Sequence, residues 1–503
     1  MAGKRLGIIF IAAVILAFLT GLFASRIIAI DPAAGGDDLF TYINERFDEY
    51  YYYDIDDATR SEAFVAQMEA IIEAYAEAND DPYTRLSATP VGIAPADAER
   101  FVGIGFNCQQ EGNDMRVQSV VHDSPAFGNL YPNDLIVGVE WEGEDVFFAD
   151  LSTHQDAQDL LRAEEGETRT LLVEDPDLER HRIPIEIREI LTPSAYTEDL
   201  GSDELGYIRI TEFSAYQENV TPGTNTVFAD VLLELEHSKL MDDPENRTLI
   251  LDLRDNPGGA LTVLHDLDED DLLPGIVQQL LVKDVERPIF EMVDRNDAKR
   301  TFDGGLKSAK EYDIVALVNE NTASAAEVLA AGLSDYAGYE LYGTPTFGKG
   351  VYQNTVSLNE IGGVEYALVY TEGEWFYGDR KNVATDPLEV NAIEQSGFYA
   401  LDLPIYEGYL AFDSVRPGLS AYQSFLNVYY DLAGEDALRE DGYFDRDTEA
   451  AFERYQRDHE LDETGALDRD TAMSIHDVHI EKTNDPAADI QLQALIDLLS
   501  ETP

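Results

Sequence analysis

The chain has 503 residues, of which 100 are acidic and 34 are lysine or arginine, giving a formal charge of −66 at pH 7. Such a surface repels nucleic acids and anionic lipid headgroups, which excludes both as binding partners. A disordered acidic chain is disfavoured, because 27 tyrosines, 22 phenylalanines and many periodic apolar segments favour packed cores. The excess of carboxylates is typical of a halophilic or salt-exposed host, where salt screens their repulsion.

The first 30 residues have the character of a membrane anchor. Lys4 and Arg5 precede an apolar run from residue 6 to residue 24, which is about long enough to cross a bilayer. By the positive-inside rule the basic residues stay in the cytoplasm, so the following domains lie outside. We therefore predict a single-pass protein of the cell membrane, with the domains that follow residue 30 extracytoplasmic. A cleaved signal peptide is the alternative, although Leu22 and Phe23 disfavour cleavage beside them.

Beyond the anchor, the pattern of the sequence changes several times. Residues 31–97 carry helical patterning, residues 98–190 are β-rich, and residues 191–402 alternate strands with helices. Residues 403–480 resemble a small helical domain, and residues 481–503 form a tail or helix. The predicted fold class is multidomain α/β, with an N-terminal transmembrane helix, a helical region, a β-rich domain, an α/β core and a small C-terminal helical domain.

Two segments of the α/β core carry residues suited to nucleophilic catalysis. Ser324 follows a predicted buried strand and opens a run of small helix-forming residues, so it lies at a strand-to-helix corner. Lys349 lies between two glycines, and a lysine held neutral can take the proton of a serine hydroxyl. Upstream, LDLRDNPGG at residues 251–259 ends a strand in a turn whose N–H groups can face an oxyanion. Taken singly, Ser324 is more often a plain helix N-cap, and Lys349 a solvated turn residue.

Together these segments resemble the C-terminal processing peptidases, also called tail-specific proteases. The resemblance rests on residues 319–327, on TFGKG at residues 346–350 and on residues 251–259. It extends to DPYTRL at residues 81–86 and to GYIRITEF at residues 206–213. Three separated catalytic motifs in the family's order make the resemblance specific.

The resemblance implies a role for each motif residue. In that family a serine and a lysine stand 25 residues apart, as Ser324 and Lys349 do. Ser324 is thereby the nucleophile, Lys349 the general base, and Gln353, four residues further on, the partner that orients the lysine. The implied oxyanion donors are backbone N–H groups, those of Ala325 and of one glycine of the pair Gly258 and Gly259.

The β-rich segment resembles a PDZ domain. FVGIGF at residues 101–106 resembles a carboxylate-binding loop, and DSPA at residues 123–126 resembles the segment that follows it. A PDZ groove adds an extended chain terminus as a strand and holds its carboxylate with loop N–H groups. The implied tail-binding residues are Val102, Gly103, Ile104 and Gly105. The sequence departs from the family at residues 128–134, where Pro-Asn-Asp replaces Pro-Gly-Asp, and a spacer that binds nothing is the alternative.

The C-terminal segment resembles a peptidoglycan-binding repeat of the small three-helix type, on residues 441–456 and 461–468. We predict that Asp447 and Thr448 cap a helix there. The apolar face of this helix is core, so the helix alone is no evidence of glycan binding.

No metal or cofactor is predicted. His476 and His479 lie on a probable helix without an obvious carboxylate partner, so a structural or solvent-facing role is favoured over zinc. The chain has no glycine-rich phosphate loop, no His-Glu-x-x-His and no Gly-x-Ser-x-Gly elbow. The single cysteine, Cys108, excludes an intramolecular disulfide and a multi-cysteine metal site, and we expect it to pack as a small apolar residue.

The predicted function is that of a cell-envelope serine endopeptidase that recognises protein tails through the PDZ domain and cleaves them with a Ser/Lys dyad. Two alternatives stay open, a non-catalytic wall-binding scaffold and a hydrolase of peptidoglycan peptide cross-links. The predicted partners are protein or peptide C-terminal tails, peptidoglycan, the membrane through residues 1–30, and a second copy in a homo-oligomer. The negative charge of the protein favours the protonated form of Lys349, whereas burial favours the neutral form. A lysine base requires burial to prevail, so we expect activity to rise toward alkaline pH as the amine loses its proton.

Overall fold

The computed structural model describes residues 57–90, 100–217, 221–265, 274–361 and 364–501. The chain divides into two compact units, one of residues 1–75 with 360–363 and one of residues 76–359 with 364–503. Helix α1 (Asp57–Ala78) and strand β1 (Arg85–Pro90) open the described chain. The predicted membrane segment, residues 1–30, lies outside the described residues. Within the described ranges, no helix is both long enough and apolar enough to span a membrane.

Residues 100–191 form a β-rich module. Its strands are β2 (Arg100–Gly103), β3 (Phe106–Glu111), β4 (Asp114–Val120), β5 (Leu135–Trp141), β6 (Glu144–Phe147), β7 (Thr168–Glu174), β8 (Arg180–Glu186) and β9 (Arg188–Leu191). The main sheet has the order β3-β4-β5-β7-β8 with β6 beside β5, and β2 pairs with β9. Helix α2 (His154–Leu161) begins at a capping box between Thr153 and Asp156.

Strand β3 is an edge strand of this sheet, and five of its six residues are exposed. Cys108 is one of them, so it lies in a strand of the β-rich module, but the expectation that it packs as a small apolar residue is wrong because it is exposed. An edge strand has a neighbouring strand on one side only, so its other side is open to solvent. The pattern of residues in a strand does not show whether that strand lies at the edge or in the centre of a sheet.

The described residues of the α/β core form ten further strands. They are β10 (Ala195–Tyr196), β11 (Leu205–Ile210), β12 (Thr248–Asp252), β13 (Phe290–Asp294), β14 (Lys299–Phe302), β15 (Asp313–Val318), β16 (Glu340–Gly343), β17 (Val351–Ile361), β18 (Val364–Tyr377) and β19 (Asn391–Ala392). Six of them form one sheet in the order β10-β11-β12-β15-β16-β19, in which every pair except β10 with β11 is parallel. A second, antiparallel sheet has the order β1-β18-β13-β14, with β17 beside β18.

The parallel sheet is buried on both faces, as its continuous apolar strands require. Helices α3 (Thr224–Leu235), α4 (Leu261–Leu264), α5 (Ile276–Leu280) and α6 (Ala325–Ala331) follow its strands. Leu249 and Leu251 of β12 pack with these helices in one core, whereas Ile250 between them faces a second core.

The C-terminal module, residues 403–483, contains helices α7 (Leu419–Tyr429), α8 (Arg446–Asp458) and α9 (Arg469–Thr483). Asp445 caps α8 by accepting a hydrogen bond from the Thr448 N–H, so the predicted cap at Asp447 is two residues too late. His476 and His479 are both buried on α9, which favours the structural role and makes the solvent-facing one wrong. Burial lowers the pKa of His479 to about 4, and His476 adds to this.

The last helix, α10 (Ile490–Glu501), covers the second face of the parallel sheet. Leu492 and Leu495 of α10 are almost fully buried against Ile250 of β12 and Val315 of β15. At about 2 kcal/mol for each buried leucine, this contact is a substantial part of the stability of the core. The chain therefore returns to the core after it has formed the C-terminal module.

The C-terminal module also contacts the β-rich module. The Arg469 guanidinium donates two hydrogen bonds to the buried Asp134 carboxylate, at 2.6 and 3.0 Å. The Tyr131 hydroxyl donates to Asp477 at 2.9 Å, and the Asn133 amide donates to the Tyr406 carbonyl at 3.0 Å. The segment at residues 128–134, where the sequence departs from the PDZ pattern, is thus an intramolecular docking segment.

Candidate active site

Ser324 lies at the N-terminal end of α6, after the loop that leaves β15. Its φ of +57° and ψ of −117° are a conformation that non-glycine residues rarely adopt. A strained residue of this kind persists only where its surroundings hold it. Here the Ser324 N–H donates to Glu327 Oε2 at 2.9 Å, and the preceding Ala323 N–H donates to the Asn256 carbonyl at 2.9 Å.

Glu327 is the acceptor that joins the serine segment to the lysine segment. Its carboxylate is completely buried, and Oε2 accepts from the N–H groups of Ser324 at 2.9 Å and Lys349 at 2.8 Å. Oε1 accepts from the Gly348 N–H at 2.7 Å and the Thr346 hydroxyl at 2.8 Å. Sequence reasoning gave Glu327 no role, although a glutamate three residues after a helix-capping serine is the signal that would have found it.

Lys349 is partly buried, and its Nζ lies 4.4 Å from the centroid of the Tyr83 ring. Burial lowers the pKa of Lys349 below its ordinary 10.5, and Arg85 lowers it further, against the opposing effects of Glu327 and Asp81. Desolvation therefore prevails locally despite the charge of the whole chain, as a lysine base requires.

Among the described residues, the Gln353 amide forms no hydrogen bond with Lys349. Its amide donates to the Thr371 hydroxyl at 3.4 Å, and that hydroxyl donates to Asp81 at 3.0 Å. Asp81 also accepts from the Tyr83 N–H at 3.0 Å, so the turn that places Tyr83 over Lys349 connects to Gln353. Residues 81–86 are thus part of the site, which their sequence alone did not indicate.

The glycine pair passes close to the serine. Gly258 has a φ of +101°, and a Cβ atom placed on it would lie 2.8 Å from Ser324 Cβ and 2.9 Å from Ala325 N. Only glycine permits this approach. The Gly258 N–H donates to Asn256 Oδ1 at 2.8 Å and is therefore occupied. Of the two glycines, Gly259 is the one whose N–H has no such partner among the described residues.

The oxyanion loop (residues 254–260) and the nucleophile loop (residues 319–324) are bonded to each other. The Asp255 N–H donates to Asn319 Oδ1 at 2.9 Å, and its carboxylate accepts from the amides of Asn319 at 2.8 Å and Asn321 at 2.9 Å. The Thr322 hydroxyl donates to the Leu253 carbonyl at 2.8 Å. Movement of one loop therefore requires movement of the other.

The predicted tail-binding residues lie together in the β-rich module, apart from the two catalytic segments. Val102 and Gly103 end β2, and Ile104 and Gly105 connect it to the edge strand β3. Gly105 has a φ of +90°, and its carbonyl accepts from the Ser124 hydroxyl at 3.1 Å. The segment at residues 123–126 thus supports the turn through Ser124.

One cluster has the composition of a metal site. Asp175, Glu179 and His181 each offer a ligand atom within 4.8 Å of the others. The Asp175 carboxylate already accepts from two backbone N–H groups and from His181 Nε2 at 2.7 Å, and it lies 3.8 Å from Arg469. We assign no metal to it, because its charge and hydrogen bonds are already compensated.

Comparison with known proteins identifies the core. Residues 204–386 match the profile described as Peptidase family S41. The chain contains a peptidase family S41 domain. Ser324, Lys349 and Gln353 all lie within this S41 domain, and residues 416–475 match a putative peptidoglycan binding domain. The predicted resemblance to a peptidase with a C-terminal peptidoglycan-binding-like domain is confirmed, and the chain is a serine-type peptidase.

Two bacterial relatives match over most of the chain. The carboxy-terminal processing protease CtpB of Bacillus subtilis (strain 168) is 26% identical over 446 residues, which cover 85% of this chain and 83% of the relative. A probable CtpA-like serine protease of Staphylococcus haemolyticus (strain JCSC1435) is 27% identical over 388 residues, which cover 76% and 70%. The solved photosystem II D1 C-terminal processing protease aligns with a TM-score of 0.36 and 20% identity, over 71% of this chain and 86% of that one.

Proposed function

We propose that the chain is a cell-envelope serine endopeptidase of the C-terminal processing type, with Ser324 as nucleophile and Lys349 as general base. The observation that carries this proposal is the buried Glu327 carboxylate, which accepts hydrogen bonds from the backbone N–H groups of both residues. A single acceptor thereby sets the position of the nucleophile segment relative to the base segment. The names of the two bacterial relatives support the same reaction class.

In this reaction the neutral Lys349 amine takes the proton of the Ser324 hydroxyl as its oxygen attacks the scissile carbonyl carbon. The resulting oxyanion accepts hydrogen bonds from the Ala325 N–H and from the Gly259 N–H, because the Gly258 N–H is already bonded to Asn256. Lys349 then passes the proton to the leaving amine, and the C–N bond breaks to leave an acyl-serine. Water hydrolyses this ester, again with Lys349 as the base.

Gln353 acts in this proposal through its neighbours. Its hydrogen bond to Thr371 and the bond from Thr371 to Asp81 fix the turn that carries Tyr83. Tyr83 in turn covers the Lys349 amine at 4.4 Å from the ring centroid. We expect Gln353→Ala to lower kcat less than Lys349→Ala does. The variant keeps the amine that acts as base and loses only a group that helps to position it.

The β-rich module is the proposed device for substrate capture. Strand β3 has a free edge beside the turn of Ile104 and Gly105, so a protein tail can add to it as a further strand. The backbone N–H groups of residues 102–105 would then bind the free carboxylate of that tail. Amidation of the peptide's C-terminus should raise KM, because it removes the charge that the turn binds.

The test is cleavage of a peptide library by the full chain at high salt, with products identified by mass spectrometry. We expect Ser324→Ala and Lys349→Ala each to abolish turnover and leave the protein folded. Ser334→Ala on the same helical segment and the exposed Lys381→Ala are matched controls that should keep activity. Turnover in either dyad variant contradicts the proposal. Failure of a fluorophosphonate probe to label Ser324 favours the non-catalytic scaffold.

A second candidate uses the same dyad on a different substrate. The peptidoglycan binding domain match at residues 416–475 favours a hydrolase of peptidoglycan peptide cross-links. This candidate predicts that intact sacculi release muropeptides and that unfolded protein is left uncleaved. Pull-down of the full chain with insoluble peptidoglycan tests wall binding, which both candidates allow.

The proposed location is the cell membrane, with residues 1–30 as a single-pass anchor and the S41 domain outside. The apolar run at residues 6–24 supports this location. Fractionation of cells should recover the full chain with membranes after a carbonate wash, and a variant that lacks residues 1–30 in the soluble fraction. Light scattering of that variant tests the proposed homo-oligomer.

A further inference from the structure

A buried charged cluster lies next to the oxyanion loop and is not used by the reaction proposed above. Arg254 is 2% exposed, and its guanidinium donates to Asp252 at 2.6 and 2.9 Å. It also donates to Asp489 Oδ2 at 2.5 Å and to Gln491 Oε1 at 3.1 Å. Asp489 and Gln491 are each 1% exposed, so all four side chains are inside the protein.

Arg254 lies between two buried carboxylates, those of Asp252 and Asp489, whereas Arg209 also pairs with Asp255 at 3.4 Å. Burial raises the pKa of Asp252, but Arg254 and Arg209 outweigh it and bring that pKa to about 2. Arg209 lies 3.9 Å from Asp252 and is partly exposed, whereas Arg254 is enclosed between Asp252 and Asp489. Loss of the Asp489 charge would leave Arg254 with one buried carboxylate partner, Asp252, and would leave a guanidinium N–H without its charged acceptor, which is destabilising.

Asp489 is far from Arg254 in sequence and comes from the segment that follows the C-terminal module. Its Oδ1 accepts from the Leu492 N–H at 3.1 Å and so caps α10, whereas its Oδ2 faces Arg254. Helix α10 is itself seated on the parallel sheet by Leu492 and Leu495. The position of the carboxylate is therefore set by the docking of α10.

Arg254 is the first residue of the oxyanion loop. The two residues that follow it are held by a strained backbone conformation and by hydrogen bonds. Asp255 has a φ of +60° and is bonded to the nucleophile loop through Asn319. Asn256 donates to the Ile210 carbonyl at 2.9 Å and accepts from the Gly258 N–H. The nucleophile loop thus holds one side of this backbone, and Asp489 holds the side chain that precedes it.

We propose that Asp489 is a positioning residue of the active site, which through Arg254 fixes the loop that presents the Gly259 N–H to the oxyanion. Asp489 lies outside both matched regions, residues 204–386 and 416–475, so neither resemblance indicates this role. The inference rests on the proposed function, because it concerns the same oxyanion site. It also connects the C-terminal module to catalysis, since the chain must pass through that module to reach Asp489.

The test is Asp489→Asn in the full chain. Asparagine is as good a helix cap as aspartate, so its Oδ1 keeps the bond to the Leu492 N–H, while its NH₂ group replaces the charged acceptor that faces Arg254. Asp497→Asn is the matched control, because it removes the same charge from an exposed position on α10. Active sites are titrated with a fluorophosphonate, so that kcat refers to folded, reactive enzyme.

We expect Asp489→Asn to lower kcat by about tenfold to a hundredfold, with KM changed by less than about twofold, because a misplaced oxyanion donor affects the transition state alone. The midpoint of the pH profile should stay that of the wild type, since Lys349 is untouched. A kcat within about twofold of that of Asp497→Asn, even with a lower Tm, would show that Asp489 is only structural.

A second variant covers the case in which Asp489→Asn does not fold. Gln491→Met removes the hydrogen bond from Arg254 and the one donated to the Ile393 carbonyl but leaves both carboxylates, and we expect kcat to fall about twofold to tenfold. An unchanged kcat in this variant overturns the inference. Activity of the wild type and of Asp497→Asn in the same assay tests the proposed function separately, because its failure removes peptide cleavage from every protein alike.

Discussion

Replacement of Glu327 by glutamine tests how the serine and lysine segments are joined. The carboxylate accepts four hydrogen bonds, two at each oxygen, and all four donors belong to the catalytic segments. Glutamine has the same shape but offers one oxygen and one NH₂ group. Two of the four donors would then face another donor in a site without access to water.

The magnitude follows from the better of the two amide orientations. If the NH₂ group takes the place of Oε1, the Thr346 hydroxyl can rotate and accept from it, and only the Gly348 N–H is left unpaired. That unpaired group costs about 1–3 kcal/mol. The bonds from the N–H groups of Ser324 and Lys349 pass from a charged to a neutral acceptor, which costs about 1–2 kcal/mol more. A total of about 3 kcal/mol corresponds to roughly a hundredfold in rate.

The assay measures kcat for tail-peptide cleavage and the thermal melt of the same Glu327→Gln preparation. We expect kcat to fall about a hundredfold, or the Tm to fall by about 5–10 °C if the S41 domain, residues 204–386, unfolds as one unit. Glu320→Gln is the matched control, because this exposed carboxylate accepts one hydroxyl bond from Thr344 at 2.8 Å. Wild-type kcat and Tm in Glu327→Gln would refute the role given to the shared carboxylate.

Three further outcomes are expected. Because burial holds the pKa of Lys349 below 10.5 and only the neutral amine accepts a proton, kcat/KM should rise with pH to a midpoint below that value, and a flat profile from about pH 5 to 10 would contradict a lysine base. Gly258→Ala should lower kcat more than about a hundredfold, since its Cβ would lie 2.8 Å from the Cβ of Ser324. Gly338→Ala is the control in the same peptide assay and should keep wild-type kcat, because no atom lies within 4 Å of the Cβ that it adds. The Leu495 side chain is fully buried, so Leu495→Ala should lower the free energy of unfolding by about 2–5 kcal/mol in a urea titration. The Leu498 side chain is 42% exposed, so Leu498→Ala should lower it by less than about 1 kcal/mol, and equal losses would contradict the docking of α10.

Much of the core, and the segments that form the candidate site, were predictable because the signals are local. The apolar strands at residues 248–253 and 314–318, the glycine pair and the small-residue helix after Ser324 are contiguous patterns with direct physical causes. Errors arose where the environment decides. Cys108 is exposed because its strand lies at an edge, and α8 begins at Asp445 because that carboxylate, and not Asp447, reaches the Thr448 N–H.

The sequence by itself determined the chemistry. Ser324, Lys349 and a glycine that can pass beside the nucleophile are recognisable because each requirement is met within a few consecutive residues. Only the tertiary structure decided how these parts are held. The shared acceptor Glu327, the Tyr83 ring over the lysine and the contact of Asp489 with Arg254 join residues from 22 to 266 positions apart. Such contacts depend on how the strands and helices pack, and no local pattern in the chain specifies them.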